Sequence, residues 1–195
     1  MGKPHNTRKQ EIVEAAMQLA AHKGVSHVSA QAIADRVGIA QPTVFRHFKN
    51  RDSIFAEAIE KIGQDLFQAI GRHFTDSGPA DERLRQVIDT QLHFISRNKG
   101  LPRLLFSDRL HNESAALKAA AQSIIVNYND HIAELIREGQ SSGCFRKSID
   151  AAETARLVSS LIQGLIMRWS IFDFDFALQK EAEPLWNFLH AAIKA

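Results

Sequence analysis

Residues 29–55 read SAQAIADRVGIAQPTVFRHFKNRDSIF, a pattern of two short helices separated by a turn at Gly38. Each predicted helix has one apolar face: Ala32, Ile33 and Val37 on the first, and Ile39, Val44 and Phe48 on the second. Two short helices joined by a glycine-containing turn form a helix-turn-helix, which places its second helix in the major groove of DNA. The polar side chains of that second helix are Gln41, Thr43, Arg46 and His47. The stretch therefore predicts a DNA-binding unit.

Three segments resemble the DNA-binding domain of the TetR family of bacterial transcriptional regulators. They are IVEAAMQLAAHKG at 12–24, VSAQAIADRVGI at 28–39 and QPTVFRHFKNRDSIF at 41–55. The motif covers roughly a quarter of the chain, and the remainder agrees with the family in helical character and length. The resemblance implies an all-α fold, with a three-helix helix-turn-helix domain at 1–52 and a helical ligand-binding and dimerisation domain at 53–195.

The distribution of charge agrees with DNA binding at the N-terminal end. The chain has a formal net charge of +2, but residues 1–51 contain eight Lys or Arg against Glu11, Glu14 and Asp35, which gives +5. The remainder has sixteen basic and nineteen acidic side chains, which gives −3. A basic end on an acidic body is typical of a protein that binds nucleic acid at that end. Charge alone fits a solvated basic surface as well, and the helix-turn-helix favours DNA.

Membrane and disulfide features do not occur in the sequence. No apolar run approaches the length of a membrane span, and the first ten residues, MGKPHNTRKQ, are polar. Cys144 stands alone, which excludes an internal disulfide and a cysteine-based zinc site. We expect a cytoplasmic protein with no membrane partner.

Helical periodicity continues through the rest of the chain, and no alternating pattern predicts a strand. Asn50 is expected to cap a long helix that reaches residue 74, and the segment TDSGPA at 75–80 is expected to break it. Further helices are predicted at about residues 81–97, 101–110, 113–140, 150–172 and 177–193.

The resemblance implies a role for residues on both short helices. Ser29 would cap the first helix, either alone or together with a phosphate contact, and Gln31 would reach the edge of the groove. Gln41 would bond a base edge, most naturally adenine. Pro42 and Thr43 would contact thymine methyl groups.

The other implied DNA contacts include departures from the family pattern. Arg46 would contact guanine or hold a phosphate, while His47 and Arg51 would position the DNA backbone. Phe45 stands where the family usually has a tyrosine that bonds a phosphate, so we expect Phe45 to keep the ring packing and lose that bond. Ala40 stands where a capping serine is common, and Arg51 replaces the usual lysine.

Two C-terminal helices are expected to form a homodimer interface. One helix-turn-helix makes few base contacts, so specific recognition generally requires a symmetric dimer on a palindromic operator in double-stranded DNA. The apolar residues of these helices cover a wider arc than one monomeric core normally requires. The predicted interface residues are Leu157, Val158, Leu161, Leu165, Trp169, Leu185, Phe188, Leu189 and Ala192. A thick internal core is the alternative explanation.

The resemblance also implies a small-molecule effector that enters the C-terminal helices. The long helix from Arg51 to Phe74 would transmit its binding by changing the spacing of the two DNA-binding domains. Candidate effector residues are polar or aromatic side chains on otherwise apolar helices: Phe67, His73, Gln91, Phe94, Phe106, Tyr128, His131, Gln163 and Trp169. For each of them singly, packing in the core is the more common explanation. The effector itself is unknown.

No pattern typical of an enzyme occurs in the sequence. HExxH, GxSxG, P-loop and GxGxxG motifs are absent and the nine histidines are scattered, so we predict no catalytic residues, metal or cofactor. We expect a homodimeric, ligand-responsive transcriptional regulator, and repression is implied by the resemblance alone. The alternative is a non-regulatory DNA-binding adaptor that places a partner protein on the chromosome.

Overall fold

The structure is a computed structural model that describes residues 5–195. Residues 1–4, part of the polar N-terminus considered above, lie outside the described residues. The α-helices within 5–195 are α1 His5–Lys23, α2 Ala30–Val37, α3 Gln41–His47, α4 Arg51–Thr75, α5 Ala80–Ser96, α6 Gly100–Leu105, α7 Ala115–Ser142, α8 Ala151–Ile171 and α9 Ala182–Ile193. Short 3₁₀ turns at Val25–His27 and Leu178–Glu181 and a π-helical turn at Arg109–Glu113 connect them. None of these described helices is both long and apolar enough to cross a membrane.

The predicted all-α fold is confirmed. In residues 5–195 the β structure amounts to an isolated bridge between Phe145 and Lys194. The local signals at helix ends act as expected. Gly24 follows α1 with φ of 79°, a backbone conformation that glycine adopts without steric cost. Asn50 caps α4, since its Oδ1 accepts a hydrogen bond from the backbone N–H of Ser53 at 2.9 Å.

The predictions at 101–110 and 177–193 are each wrong in part. The first segment is not one helix, since α6 ends at Leu105 and a π-helical turn begins at Arg109. Between them, Ser107 Oγ donates to the carbonyl of Leu104 at 2.7 Å. The second segment begins as a 3₁₀ turn and becomes α-helical at Ala182.

The described residues pack into two compact units, each built from segments that are distant in sequence. The first unit comprises the described residues up to Gly63 together with Asn98–Gln122, and the second comprises Gln64–Arg97 together with Ser123–Ala195. Helices α4 and α7 contribute residues to both units. The domain boundary expected after residue 52 is placed at the end of the helix-turn-helix, whereas the compact units combine non-contiguous segments. That boundary stays a prediction.

In the first unit, α1 packs against both α2 and α6. Ile12, Ala16 and Ala20 of α1 are fully buried. Gly100, the first residue of α6, approaches α1 so closely that an added Cβ would lie 2.4 Å from the carbonyl oxygen of Met17. Any larger residue at this position would displace α6 from α1.

In the second unit, the buried side chain of Arg83 fixes the end of α4. Its Nε donates to the carbonyl of His73 at 2.9 Å, and Nη2 donates to the carbonyl of Phe74. Its Nη1 donates to Glu138 Oε2 on α7 at 2.6 Å. The last carbonyls of a helix have no partner within the helix, so Arg83 satisfies them while Glu138 balances its charge.

Candidate functional site

A left-handed turn at Gly38 sets the angle between α2 and α3. Gly38 has φ of 73° and ψ of 41°, and its N–H bonds to carbonyls in the last turn of α2. The N–H of Ile39 bonds to the carbonyl of Ala34 at 3.0 Å. A side chain with a Cβ costs roughly 1–2 kcal/mol in this conformation, which explains the glycine. The helix-turn-helix is therefore present at the predicted place.

The N-terminus of α2 has the predicted cap. Ser29 is in an extended conformation, and its Oγ accepts from the N–H of Ala32 at 3.1 Å. Gln31 is exposed, and its Nε2 donates to Oδ1 of Asp35, one turn later, at 2.6 Å. To donate a hydrogen bond to DNA, the Gln31 amide would have to give up its bond to Asp35.

Helix α3 buries one side and exposes the other. Val44 is 1% exposed, and Phe48, which ends the helix, is 4% exposed. The exposed residues are Gln41, Pro42, Phe45 and Arg46. Thr43 and His47, two further predicted contacts, are half-buried at the edge of this surface. We call the four exposed residues the α3 surface.

Two further features of α3 are the exposure of the Phe45 ring and the way in which the N-terminus of the helix is formed. The Phe45 ring is 51% exposed, so it packs against the protein only in part, while Val44 and Phe48 fill the buried side. Ala40 ends the turn without a side-chain cap, and its carbonyl accepts from the N–H of Thr43 at 2.8 Å. Pro42 lies in the first turn, where a missing N–H has no cost.

The guanidinium of Arg51 bonds inside the protein. Its Nη1 donates to the carbonyl of Val28 at 2.8 Å and to that of Ser26 at 3.4 Å. Burial lowers the pKa of Arg51, and the nearby charge of Arg109 lowers that pKa further. Arg51 therefore connects the 3₁₀ turn before α2 to the first residue of α4, a role that the sequence did not predict.

An ion pair holds the next residue, Asp52. Arg109 Nε donates to Asp52 Oδ1 at 2.6 Å, and Arg109 Nη1 bonds Glu113 Oε2 at 3.0 Å. The start of α4 is thus bonded to the π-helical turn within the first unit. Sequence reasoning missed Arg109, because a partner 57 residues away leaves no local signal.

Several basic side chains of the N-terminal region are engaged within the first unit. Arg8 pairs with Glu11 at 2.7 Å, and Lys9 pairs with Glu57 at 2.7 Å. The Nε of Arg36 donates to an oxygen of Gln18 at 2.8 Å. With Arg51 also bonded internally, the exposed cations of this region include Lys23, Arg46 and Lys49.

Buried polar contacts join several predicted effector residues in the second unit. Tyr128 Oη of α7 donates to Gln91 Oε1 of α5 at 2.6 Å, and both side chains are buried. Burial raises the pKa of Tyr128 far above its usual value, so the phenol stays a hydrogen-bond donor. His73 is 4% exposed and contacts Thr90 Oγ1 at 3.1 Å. Burial lowers the pKa of His73, and the charge of Arg72 adds to this effect.

An aromatic cluster formed by α4 and α7 lies in the same unit. The ring of His131 stacks on Phe74 with centroids 5.0 Å apart and lies 5.8 Å from the ring of Phe67. Six of the predicted effector residues thus lie on α4, α5 and α7: Phe67, His73, Gln91, Phe94, Tyr128 and His131.

Phe94 of this set is half-buried, and the remaining three predicted effector residues lie elsewhere. Phe106 belongs to the first unit and is 37% exposed, and Gln163 is an exposed residue of α8, so neither side chain is enclosed by the interior of the second unit. Trp169 is buried, with Nε1 donating to the carbonyl of Phe176 at 2.8 Å.

The predicted dimer residues divide into buried and exposed sets. Val158, Trp169, Leu185 and Leu189 are all less than 9% exposed within one chain. These four side chains pack inside the core of one chain, and their place in a dimer interface stays a prediction. Leu165 is half-buried. The exposed set is Leu157 at 63%, Leu161 at 38%, Phe188 at 65%, and Ala192.

Two family models match the chain, one at each end. The model described as bacterial regulatory proteins, tetR family, matches residues 12–58, and the tetracyclin repressor-like C-terminal domain matches residues 81–177. The chain belongs to the TetR family. Its helix-turn-helix is therefore the DNA-binding part of a TetR-family regulator, as its sequence predicted.

Individual relatives and solved structures are similar to this chain over nearly its whole length. The nucleoid occlusion factor SlmA of Marinomonas sp. is 25% identical over 189 residues, which are 97% of this chain and 96% of the relative. The fatty acid degradation regulator FadR from Bacillus halodurans has a TM-score of 0.85 at 17% identity, over 97% and 96% of the two chains. FadR from Bacillus subtilis in complex with stearoyl-CoA has a TM-score of 0.81 at 20% identity, over 94% and 98%. These two structures share the fold.

Replacement of Arg51 by alanine tests its internal role. We expect the free energy of unfolding to fall by about 1.5–3 kcal/mol, the range for a hydrogen bond to a charged group, because the carbonyls of Val28 and Ser26 lose their donor. Urea unfolding followed by circular dichroism measures this change.

The matched control is Lys49→Ala, which removes an exposed cation two residues away and should change stability by less than about 0.5 kcal/mol. Unchanged stability in Arg51→Ala, with a flatter salt dependence of DNA binding, would assign Arg51 to a phosphate instead.

Proposed function

We propose that this TetR-family regulator is a homodimeric repressor that binds a palindromic operator and is released from it by a small molecule. The observation that carries the proposal is the α3 surface. It offers an amide, an arginine and two apolar side chains on a helix whose opposite side is buried. Such a helix fits the major groove, where base edges present donors, acceptors and thymine methyl groups.

The residues around α3 have distinct roles in this proposal. Gln41 bonds an adenine edge, and Arg46 contacts guanine or a phosphate. Pro42 and Thr43 lie against apolar groups of the bases, while His47 contacts the DNA backbone. At the N-terminus of α2, the capped Ser29 and the adjacent Gln31 lie at the edge of the groove.

Dimerisation is proposed through the exposed apolar residues of α8 and α9. Leu157 and Leu161 lie one helical turn apart on α8, and Gly164 continues the same face without a side chain. Phe188 and Ala192 have the same spacing on α9. Leu157 and Phe188, which are 63% and 65% exposed in one chain, would be covered by the same face of a second copy.

An effector site is proposed among α4, α5 and α7 of the second unit. Aromatic rings of Phe67 and His131 and the polar pair Tyr128–Gln91 combine the apolar walls and few polar groups that small-molecule sites use. Helix α4 carries Phe67 and begins at Arg51, beside the helix-turn-helix. A shift of α4 on effector binding would change the spacing of the two α3 helices in the dimer.

Substitution of Gln41 or Arg46 tests base recognition. We expect Gln41→Ala and Arg46→Ala each to weaken binding to the specific operator by about 1–3 kcal/mol, with little change for unrelated DNA, if both contact bases. The measurement is selection of fragmented DNA by the purified protein, followed by titration of the enriched site. Wild-type specificity in both variants would show that α3 is not the recognition helix.

Introduction of a charge at the proposed interface tests dimerisation. Leu157→Glu should give monomers in sedimentation and weaken operator binding on the order of 10²-fold, because the two half-sites then bind independently. Val126→Glu on α7 is the matched control, since Val126 is 59% exposed and Leu157 is 63% exposed. Dimers that persist in Leu157→Glu and dissociate in the control would move the interface to α7.

A second candidate function is a DNA-binding adaptor that brings a partner protein to the chromosome. The full-length similarity to nucleoid occlusion factors named SlmA favours it. The two functions differ in the response of the protein–DNA complex to small molecules. The B. subtilis FadR structure contains stearoyl-CoA, so acyl-CoA thioesters are reasonable first compounds.

A repressor should release its operator with at least one compound of a panel that begins with stearoyl-CoA. Tyr128→Phe should then change the concentration needed for release without changing DNA binding in the absence of compound, because it removes the hydroxyl bonded to Gln91. A complex that no compound releases, and that retains a protein partner on DNA, would favour the adaptor.

A further inference from the structure

A surface groove of about 400 Å³ lies between α5 and α9 in the second unit, a volume within the range of small-molecule sites. It is lined by side chains of α5 and α9 and by the loop after α7: Asp81, Glu82, Arg85, Trp186, His190 and Cys144. Residues two apart on an α-helix point to different sides, so Trp186 and His190 face away from the proposed dimer residue Phe188. A dimer through Phe188 therefore leaves the groove open.

The loop wall of the groove is held in place by the end of the chain. The carbonyl of Cys144 accepts a hydrogen bond from the N–H of Ala195 at 3.1 Å. The next residue, Phe145, is 1% exposed, and it packs so closely on Gly139 that an added Cβ would lie 2.1 Å from the ring. The wall is thus formed before any ligand arrives, which lowers the entropy cost of binding.

The indole of Trp186 brings an unused hydrogen-bond donor to the groove. Trp186 is 7% exposed, and His190 covers one face of its indole, with ring centroids 4.8 Å apart and planes at 20°. Within residues 5–195 the indole N–H makes no hydrogen bond, although a buried tryptophan usually finds a partner for it. Because this N–H is neither bonded nor sealed in the core, it is open to the groove that the indole lines.

The charges of the groove come from the first two turns of α5. Asp81 and Glu82 contribute carboxylates, and Arg85, one turn later, contributes a guanidinium. Asp81 Oδ2 lies 3.9 Å from His190 Nε2, whereas the side chains of Glu82 and Arg85 have no partner within residues 5–195. Two carboxylates would repel a simple anion, and the guanidinium would repel a simple cation. A molecule that carries both charges matches this groove.

We propose that the groove binds an α-amino acid with an aromatic side chain. The carboxylate of the amino acid accepts hydrogen bonds from the Trp186 indole and from Arg85, and its ammonium pairs with Glu82. Its ring stacks on the outer face of His190, as a third layer over the indole. This site is separate from the effector site proposed among α4, α5 and α7, and its test requires neither DNA nor a dimer.

The two tryptophans of the chain provide a direct measurement of binding. In isotope-labelled full-length protein each indole N–H gives its own NMR signal, and Trp186→Phe identifies the signal of residue 186. With unlabelled L-phenylalanine and L-tryptophan as probes, we expect the Trp186 signal to shift and saturate. The signal of Trp169, whose N–H is bonded to the carbonyl of Phe176, should stay in place. The analogues that lack either the ammonium or the carboxylate should bind at least about tenfold more weakly, because each loses a charge-assisted bond.

Substitution of the charged residues assigns the two ends of the ligand. Arg85→Ala should weaken binding of the amino acid on the order of tenfold. Glu82→Gln should lower the affinity toward that of the analogue without an ammonium. Arg97→Ala removes an exposed arginine that follows α5 and lies outside the groove, so this control should keep the wild-type affinity.

Three results would overturn the proposal. They are a Trp186 signal that no probe shifts, equal affinity for the amino acid and both analogues, and unchanged affinity in Arg85→Ala. Because Glu82 and Arg85 are exposed, thermal unfolding of both variants should stay close to that of the wild type, so weaker binding is not a failure to fold. Operator binding is measured separately, and its failure would leave this site unaffected.

Discussion

The conformation of Gly38 is the constraint on which the DNA-binding surface depends. Its left-handed backbone ends α2 and turns the chain so that Val44 and Phe48 are buried. Once these two side chains fill the buried side of α3, Gln41, Pro42, Phe45 and Arg46 have to face outward. A residue with a Cβ at position 38 would strain this turn, and a change in its angle would rotate every side chain that α3 presents.

The rest of the first unit bonds to the residues that flank the helix-turn-helix through contacts distant in sequence. Arg51 bonds the carbonyls that precede α2, and Asp52 pairs with Arg109. Gly100 lets α6 approach the carbonyl of Met17 in α1. The DNA-binding helices therefore belong to a larger packed unit than the helix-turn-helix, and substitutions at 98–122 can affect DNA binding without contact with DNA.

Local sequence signals predicted the helices and their ends well. Contacts between residues that are distant in sequence could not be predicted. The Ser29 cap, the turn at Gly38 and the Asn50 cap act over three or four residues, so their residue types suffice. The partners of Arg51 and Arg109 lie tens of residues away and follow from packing. Periodicity likewise identified the apolar residues of α8 and α9, but it could not distinguish Val158, inside the core, from Leu157, on the surface.

Not every basic side chain that contributes to the +5 charge of residues 1–51 is free to contact DNA, because several of them bond within the protein. Arg8, Lys9, Arg36 and Arg51 are bonded within the first unit, so fewer basic side chains are free to bond phosphates directly than the sequence suggests. Nonspecific affinity depends on the number of phosphates neutralised, so it should be correspondingly modest. In the proposed function, base contacts from an amide and from apolar side chains would then supply a larger share of the binding free energy. A surface of this composition favours discrimination between sequences over general attraction to DNA.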